Sequence, residues 1–349
     1  MQKSKKIKNS KKINILLNVL LISIFVVIQN FLISIQRDIE IPIDEKNPNE
    51  IIYTRPPQQS SVYYENTTGN ALGVYVSGDY AYVADCYSGL AVIDISDPTD
   101  PGTPVYEDTY GYARDVYVSG DYAYVADRNS GLAVIDVSDP TDPGTPVYED
   151  TTGWAYGVYV SGEYAYVADD SSGLTVIDVS DPTNPGTLVY EATTGDANDV
   201  YVSGDYAYVA VGGSGLAVID ISDPTDPGTP VYENTTGYAS GVYVSGDYAY
   251  VAVLGSGLAV IDVSDPTNPG TPVYEATIGR AIGVYVSEDY VYVANGWSGL
   301  AVIDISDLIN PRTPGGAIPF ELIIIASVIG GGAVISVAVV ILLRRKRKE

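Results

Sequence analysis

A period of 42 residues, kept through six copies without an insertion or a deletion, constrains this chain more than any other feature. The segment GLAVID begins at Gly89, Gly131, Gly215, Gly257 and Gly299, with the variant GLTVID at Gly173. A fixed period of this size belongs to arrays in which one supersecondary unit stacks against copies of itself. Each unit holds four short apolar runs, seen first as VYV, YAYVA, LAVID and PVYE, separated by turn residues. Four strands in about 42 residues is the spacing of a propeller blade. The expected fold is therefore all-β, a six-bladed β-propeller over residues 61–313.

Turn chemistry agrees with this division. Ser77-Gly78-Asp79 separates the first two runs, where glycine can take positive φ in a tight hairpin, and the two prolines of DISDPTDPG (94–102) forbid a continuous ladder between the third and fourth. The runs are nearly continuous in apolar character, as strands covered on both faces should be. Tyrosine occupies four fixed slots per unit, those of Tyr64, Tyr75, Tyr80 and Tyr82 in the first. Such regularity predicts packing residues whose hydroxyls reach a polar edge, and not an aromatic binding stripe.

The two ends of the array complement each other. SVYYENTTG (61–69) lies one period before TPVYEDTYG (103–111), so it is a fourth strand without a preceding three. The sixth unit continues after Asp304 as ISDLINPRTPGG and supplies no PVYE of its own. An N-terminal strand that completes the last blade would close the ring and remove an open edge.

The repeating LAVID, preceded by YAYVAD and followed by ISDPTDPG or VSDPTNPG, resembles the LVIVD-repeat family over residues 61–313. The resemblance implies a β-propeller, often on a cell surface, and assigns no activity. The paired GH and WD dipeptides of WD40 blades are missing.

Outside the repeats the chain reads as membrane attachment. Residues 1–36 carry six lysines before a largely apolar run from Ile13 to Ile35, a signal peptide or a retained N-terminal anchor. A linker spans 37–60 and another 314–321. Residues 322–343 contain no charge and are followed by Arg344, Arg345, Lys346, Arg347 and Lys348, the pattern of a transmembrane helix with a cytoplasmic tail at 344–349. Basic residues at both ends predict a cell-membrane protein, single-pass or double-pass, with the propeller facing outside.

Charge and composition narrow the function. Residues 62–313 hold 37 Asp and Glu against four Arg and no Lys, which repels phosphate backbones, so no nucleic-acid partner is expected. Histidine is absent and Cys86 is the single cysteine, which removes the usual general base, the commonest metal ligand and any intrachain disulfide. Catalysis is the least favoured class. No cofactor is expected, although the DxxDxxD spacing of Asp94, Asp97 and Asp100 would suit calcium if it were more than a turn.

Comparison of the six units with one another separates scaffold from site. Two stretches differ in every copy: the entry to each first strand (70–73 in the first unit) and the connection between the second and third strands (85–88). In an up-and-down blade both emerge on one face. That rim gathers Arg114, Arg128, Trp154, Tyr156, Tyr238, Arg280 and Trp297, residue types enriched in binding hot spots. Asp115 and Asp199 begin the innermost strands of the second and fourth blades where other blades have glycine, and are the candidate pair for a cation at the channel mouth. The expected function is a membrane-anchored binding or adhesion module whose partner is an extracellular protein or glycan. A structural envelope component is the alternative, and a carboxylate-dependent enzyme the third reading.

Overall fold

The computed structural model of the protein describes Tyr63 and residues 65–305. The first blade comprises Gly73–Ser77, Tyr80–Ala84, Leu90–Asp94 and Val105–Glu107 (β1–β4), paired antiparallel in chain order. Four more four-stranded sheets repeat it, opening with Asp115–Ser119 (β5), Gly157–Ser161 (β9), Ala197–Ser203 (β13) and Tyr238–Ser245 (β17). The sixth sheet has three described strands, Gly283–Ser287, Tyr290–Ala294 and Leu300–Asp304 (β21–β23). The protein is a six-bladed β-propeller, as the period predicts.

The blades cohere through their faces. Tyr82, Ala84, Leu90 and Val92 of the first blade pack on Val116, Val118, Ala123, Val125 and Ile135 of the second, and the same positions meet at each of the next four interfaces. Burial of a side chain of this size contributes about 1.5–3 kcal/mol, so every interface is a substantial core of its own. This two-sided burial explains why YAYVA and LAVID carry almost no polar residues.

The interface between the sixth and first blades is different. Val74 and Val76 are 65% and 58% exposed, whereas their counterparts Val116 and Val118 are 3% and 6% exposed. Leu300 and Val302 are likewise exposed where Leu90 and Val92 are buried. A groove of about 640 Å³ runs along Leu300–Asp304, on the side where the other blades carry a fourth strand. The strand expected to fill it, residues 61–69, lies partly outside the described residues, and its described part, Tyr63 and 65–69, forms no strand. The expected segments at 1–36, 37–60, 314–321, 322–343 and 344–349 also lie outside them. Among the described residues no helix is long and apolar enough to cross a membrane.

The tyrosine slots divide. The Tyr82 slot is core, with Tyr82, Tyr124, Tyr166, Tyr208 and Tyr250 all buried. The fourth-strand hydroxyls reach a polar edge: those of Tyr106, Tyr148, Tyr232 and Tyr274 accept the N–H of Thr68, Tyr110, Thr194 and Thr236 at 2.9–3.0 Å. The Tyr75 slot corrects the sequence reading. It lines the central channel as a ladder of six rings, because it lies on the innermost strand of each blade.

Candidate binding rim

Three of the variable rim loops are built on a buried carboxylate. Asp127 is fully buried and accepts the Thr109 hydroxyl at 2.7 Å and the Gly111 N–H at 2.8 Å. Asp85 binds Thr67 and Gly69 in the same way, and Asp169 binds Thr151 and Gly153. Each of these acids holds the linker that enters its own blade. They belong to the scaffold, although they fall in a stretch that varies between copies. Desolvation raises the carboxyl pKa of Asp127 and Asp169, against the pull of these hydrogen bonds.

The residue after each buried acid is left-handed. Cys86, Arg128 and Asp170 have φ of 53°, 48° and 49°, and each exchanges two backbone hydrogen bonds with the alanine entering the next blade. For Arg128 that partner is Ala155, with bonds of 3.1 and 3.0 Å. A left-handed non-glycine residue is uncommon and fixes the direction of its side chain. Here it sends the guanidinium across the rim.

The outcome is a continuous cluster on blades one to three. The Arg128 guanidinium lies 4.2 Å from the Trp154 ring centre and 5.4 Å from that of Tyr112, within cation–π range of both. Arg114 lies 5.0 Å over Tyr156, which meets Trp154 edge-on at 6.5 Å. Tyr87 continues the cluster through an edge contact of 4.4 Å with Tyr112. Trp154 is 45% exposed and Tyr87 70%, so the rings face solvent although they touch one another. Desolvation raises the pKa of Tyr156, with a further push from Asp170. Neither arginine forms a close ion pair with a carboxylate among the described residues.

The structure thus brings together Arg114, Arg128, Trp154 and Tyr156 of the seven expected rim residues, and leaves the other three apart. Tyr238 packs over Gly212 and donates its hydroxyl to Asn198 at 3.2 Å. Arg280 joins the rim through its backbone, its N–H donating to the Asn295 carbonyl at 3.4 Å, and Trp297 is fully exposed with no ring contact. Tyr87 and Tyr112 belong to the cluster but were not among the seven. Their signal was present, since Tyr112 and Trp154 occupy equivalent positions one period apart with Arg128 between them in the chain.

Asp115 and Asp199 lie at the channel, as expected. Asp115 accepts the Val158 N–H at 3.0 Å, and Asp199 accepts the Val242 N–H at 2.8 Å and the Val200 N–H at 2.9 Å. Each carboxylate therefore binds the innermost strand of the next blade. A β-carbon added at Gly73 or Gly157 would lie 2.8 or 2.9 Å from the Oδ1 of Asp115 or Asp199, which is why glycine precedes each acid in the ring. Both residues line the channel cavity, and desolvation raises both carboxyl pKa values. Asp199 rises further because Asp115 is near. Among the described residues no group of three or more acids or cysteines is placed to hold a metal ion.

The DxxDxxD loops form turns. Asp94 accepts the Ser96 N–H at 2.8 Å, and Asp97 accepts the Thr99 N–H at 2.9 Å and its hydroxyl at 2.6 Å. These bonds lower both carboxyl pKa values.

The LVIVD-repeat family model matches residues 68–104, 110–146, 152–192, 194–230, 236–271 and 278–314, more than half of the chain. The chain belongs to the LVIVD-repeat family. Each match covers most of one 42-residue period and spans at least the first three strands of one blade. No curated protein matches the sequence. Among solved structures, this LVIVD-repeat chain is similar to the β-propeller domain of Cps50 (Swd1) from Myceliophteria thermophila, with TM-score 0.54 and 10% identity over 68% of this chain and 83% of that one. It is also similar to the computationally designed Ika8 protein, with TM-score 0.52 and 10% identity over 67% and 71%. At such identity the likeness concerns the fold alone.

Proposed function

We propose that this LVIVD-repeat protein is a membrane-anchored binding module at the cell surface, and that its rim on blades one to three contacts an extracellular protein or glycan. The observation that carries this reading is Arg128 held between Tyr112 and Trp154 by a left-handed backbone. A half-buried cation flanked by rings, in an otherwise acidic body, is costly to assemble and contributes little to the cores between blades. Such residues supply contact area with few rotors to immobilise, which is what a binding hot spot requires. The apolar segment at 322–343 with its basic tail supports anchoring, with the propeller outside. The acidic surface argues against nucleic acid.

Arrays of proteins and glycans probed with the purified propeller region test the reading. A ligand whose binding falls at least tenfold in Trp154→Ala or Arg128→Ala, at unchanged melting temperature, supports it. A ligand indifferent to both moves the site elsewhere. The exposed faces of the first and sixth blades favour the structural-envelope alternative. Ordered lateral assembly of the purified protein without ligand would support that alternative.

A further inference from the structure

The central channel holds a second arrangement, separate from the rim cluster. A cavity of about 420 Å³ is lined by residues from all six innermost strands. Its wall is the ladder Tyr75, Tyr117, Tyr159, Tyr201, Tyr243 and Tyr285, with consecutive ring centres 4.6–5.2 Å apart. A cation in this cavity would border several of these rings, and an aromatic face attracts a cation within roughly 6 Å of its centre. Asp115 and Asp199 stand two residues before Tyr117 and Tyr201 on their strands, at the channel mouth.

The backbone bonds made by these two acids need an oxygen acceptor and not a charge, so an asparagine would serve them. Two nearby carboxylates in a confined channel repel each other and lose hydration, a cost that a bound cation would remove. Arg114 acts on Asp115 through its charge but is turned onto Tyr156, with no close ion pair between them. An aromatic wall beneath a pair of acids has the chemistry of an amine site, since ammonium groups take carboxylates and ring faces alike. Two residues of strand rise about 6.5 Å, roughly the span of a four-carbon chain.

We propose that the channel binds a short aliphatic diamine, one ammonium between Asp115 and Asp199 and the other within the tyrosine ring. Calorimetry on the purified full chain with putrescine as probe tests this. One putrescine per chain is expected, with affinity at least tenfold lower in the Asp115→Asn/Asp199→Asn double variant and unchanged in Trp154→Ala. The double variant keeps an oxygen for Val158 and Val242, and its melting temperature reports that the fold is intact. Tyr159→Leu, which opens the ring without touching either acid, should also weaken binding. The proposal is overturned if putrescine gives no binding heat, if the double variant binds as well as the parent, if butylamine binds as tightly as putrescine, or if calcium displaces putrescine at equal concentration.

Discussion

Blades one to three and blades four and five solve the same local problem by different chemistry. In the first group a buried Asp clasps the Thr and Gly of the entering linker, and the rim loop beyond it is irregular. In the second group the equivalent residues are Val211 and Val253, both fully buried. The linker threonines turn inward instead, Thr193 to the Gly195 carbonyl at 2.7 Å and Thr235 to the Gly237 carbonyl at 3.1 Å. The inner hairpin then runs further up the rim, with Val211 opposite Ala197 and Leu254 opposite Tyr238, after a bulge in each first strand. The polar clasp leaves the rim backbone free to project side chains, whereas the longer ladder engages it. The arginine and aromatic cluster stands on the clasped blades, and the laddered blades carry short residues at most of the same positions.

The largest effect expected is at the clasp. Asp127→Ala leaves the Thr109 hydroxyl and the Gly111 N–H without an acceptor in a buried site, and should cost about 2–4 kcal/mol in denaturant unfolding. Val211→Ala, at the same slot of a laddered blade, removes two methyl groups and no hydrogen bond, and should cost about 1–2 kcal/mol. Asp127→Asn should fall between, because the sixth blade already carries Asn295 there, bonded to Thr277 at 2.7 Å. Equal losses from Asp127→Ala and Val211→Ala would erase the distinction between the two kinds of blade.

The sequence made the blades legible because period, turn residues and two-sided burial all point to one architecture. It also put Asp115 and Asp199 on innermost strands, which line the channel, and named four residues that stand in one cluster. It could not say which of those residues touch. Trp154 and Trp297 look alike as variable aromatics, yet one packs on a guanidinium and the other stands in solvent, because Arg128 is the one arginine among the left-handed rim residues. The buried acids were read as part of the variable loops for a similar reason. The Thr partner that gives them a structural role lies 18 residues earlier in the chain. The Tyr75 slot was mistaken for ordinary core because periodicity fixes the face of a strand but not its distance from the axis.

The next effect concerns the two tryptophans. Arg128→Ala and Trp154→Ala should each weaken a rim ligand by about 2 kcal/mol while lowering stability by no more than about 1 kcal/mol, the worth of an exposed cation–π pair. Trp297→Ala should change stability by less than about 0.5 kcal/mol and leave binding unaltered. Comparable loss from Trp154 and Trp297 would require one large partner spanning the rim, and would end the claim that clasped blades alone carry the site.

A pH titration separates the two groups of blades further. Asp127 and Asp169 have carboxyl pKa values raised in the fold, so the folded state holds its protons more tightly than the unfolded chain. Their contribution is complete below the ordinary carboxylate range and is lost as pH rises through the folded values. The turn acids Asp94, Asp97, Asp136 and Asp139 are shifted down and act in the opposite sense, losing their contribution as pH falls through the folded values. Stability should therefore peak in mildly acidic solution. Asp127→Asn should flatten the decline toward neutral pH without moving the acid limb, as read from melting temperatures across the range. A decline that is unchanged in Asp127→Asn would place its origin outside the clasp.

The smallest effect is expected at the opposite end of the blades, where the two groups do not differ and only the sixth departs. The first hairpin turns on Gly78, Gly120, Gly162, Gly204 and Gly246, all with φ between 56° and 59°. The sixth blade places Glu288 there at φ 53°, so it adopts the same turn at the cost of a left-handed conformation that an L side chain disfavours. Nothing lies within 4 Å of a β-carbon built on the five glycines, so the cost at this turn is one of backbone conformation and not of contact. Glu288→Gly should stabilise the protein by about 1 kcal/mol, and the reverse change, Gly120→Glu, should destabilise it by a similar amount. Additivity of the two in one chain is expected, since the turns belong to different blades and share no partner. Stabilisation by Glu288→Ala as large as by Glu288→Gly would instead assign the effect to removal of one negative charge from an acidic surface.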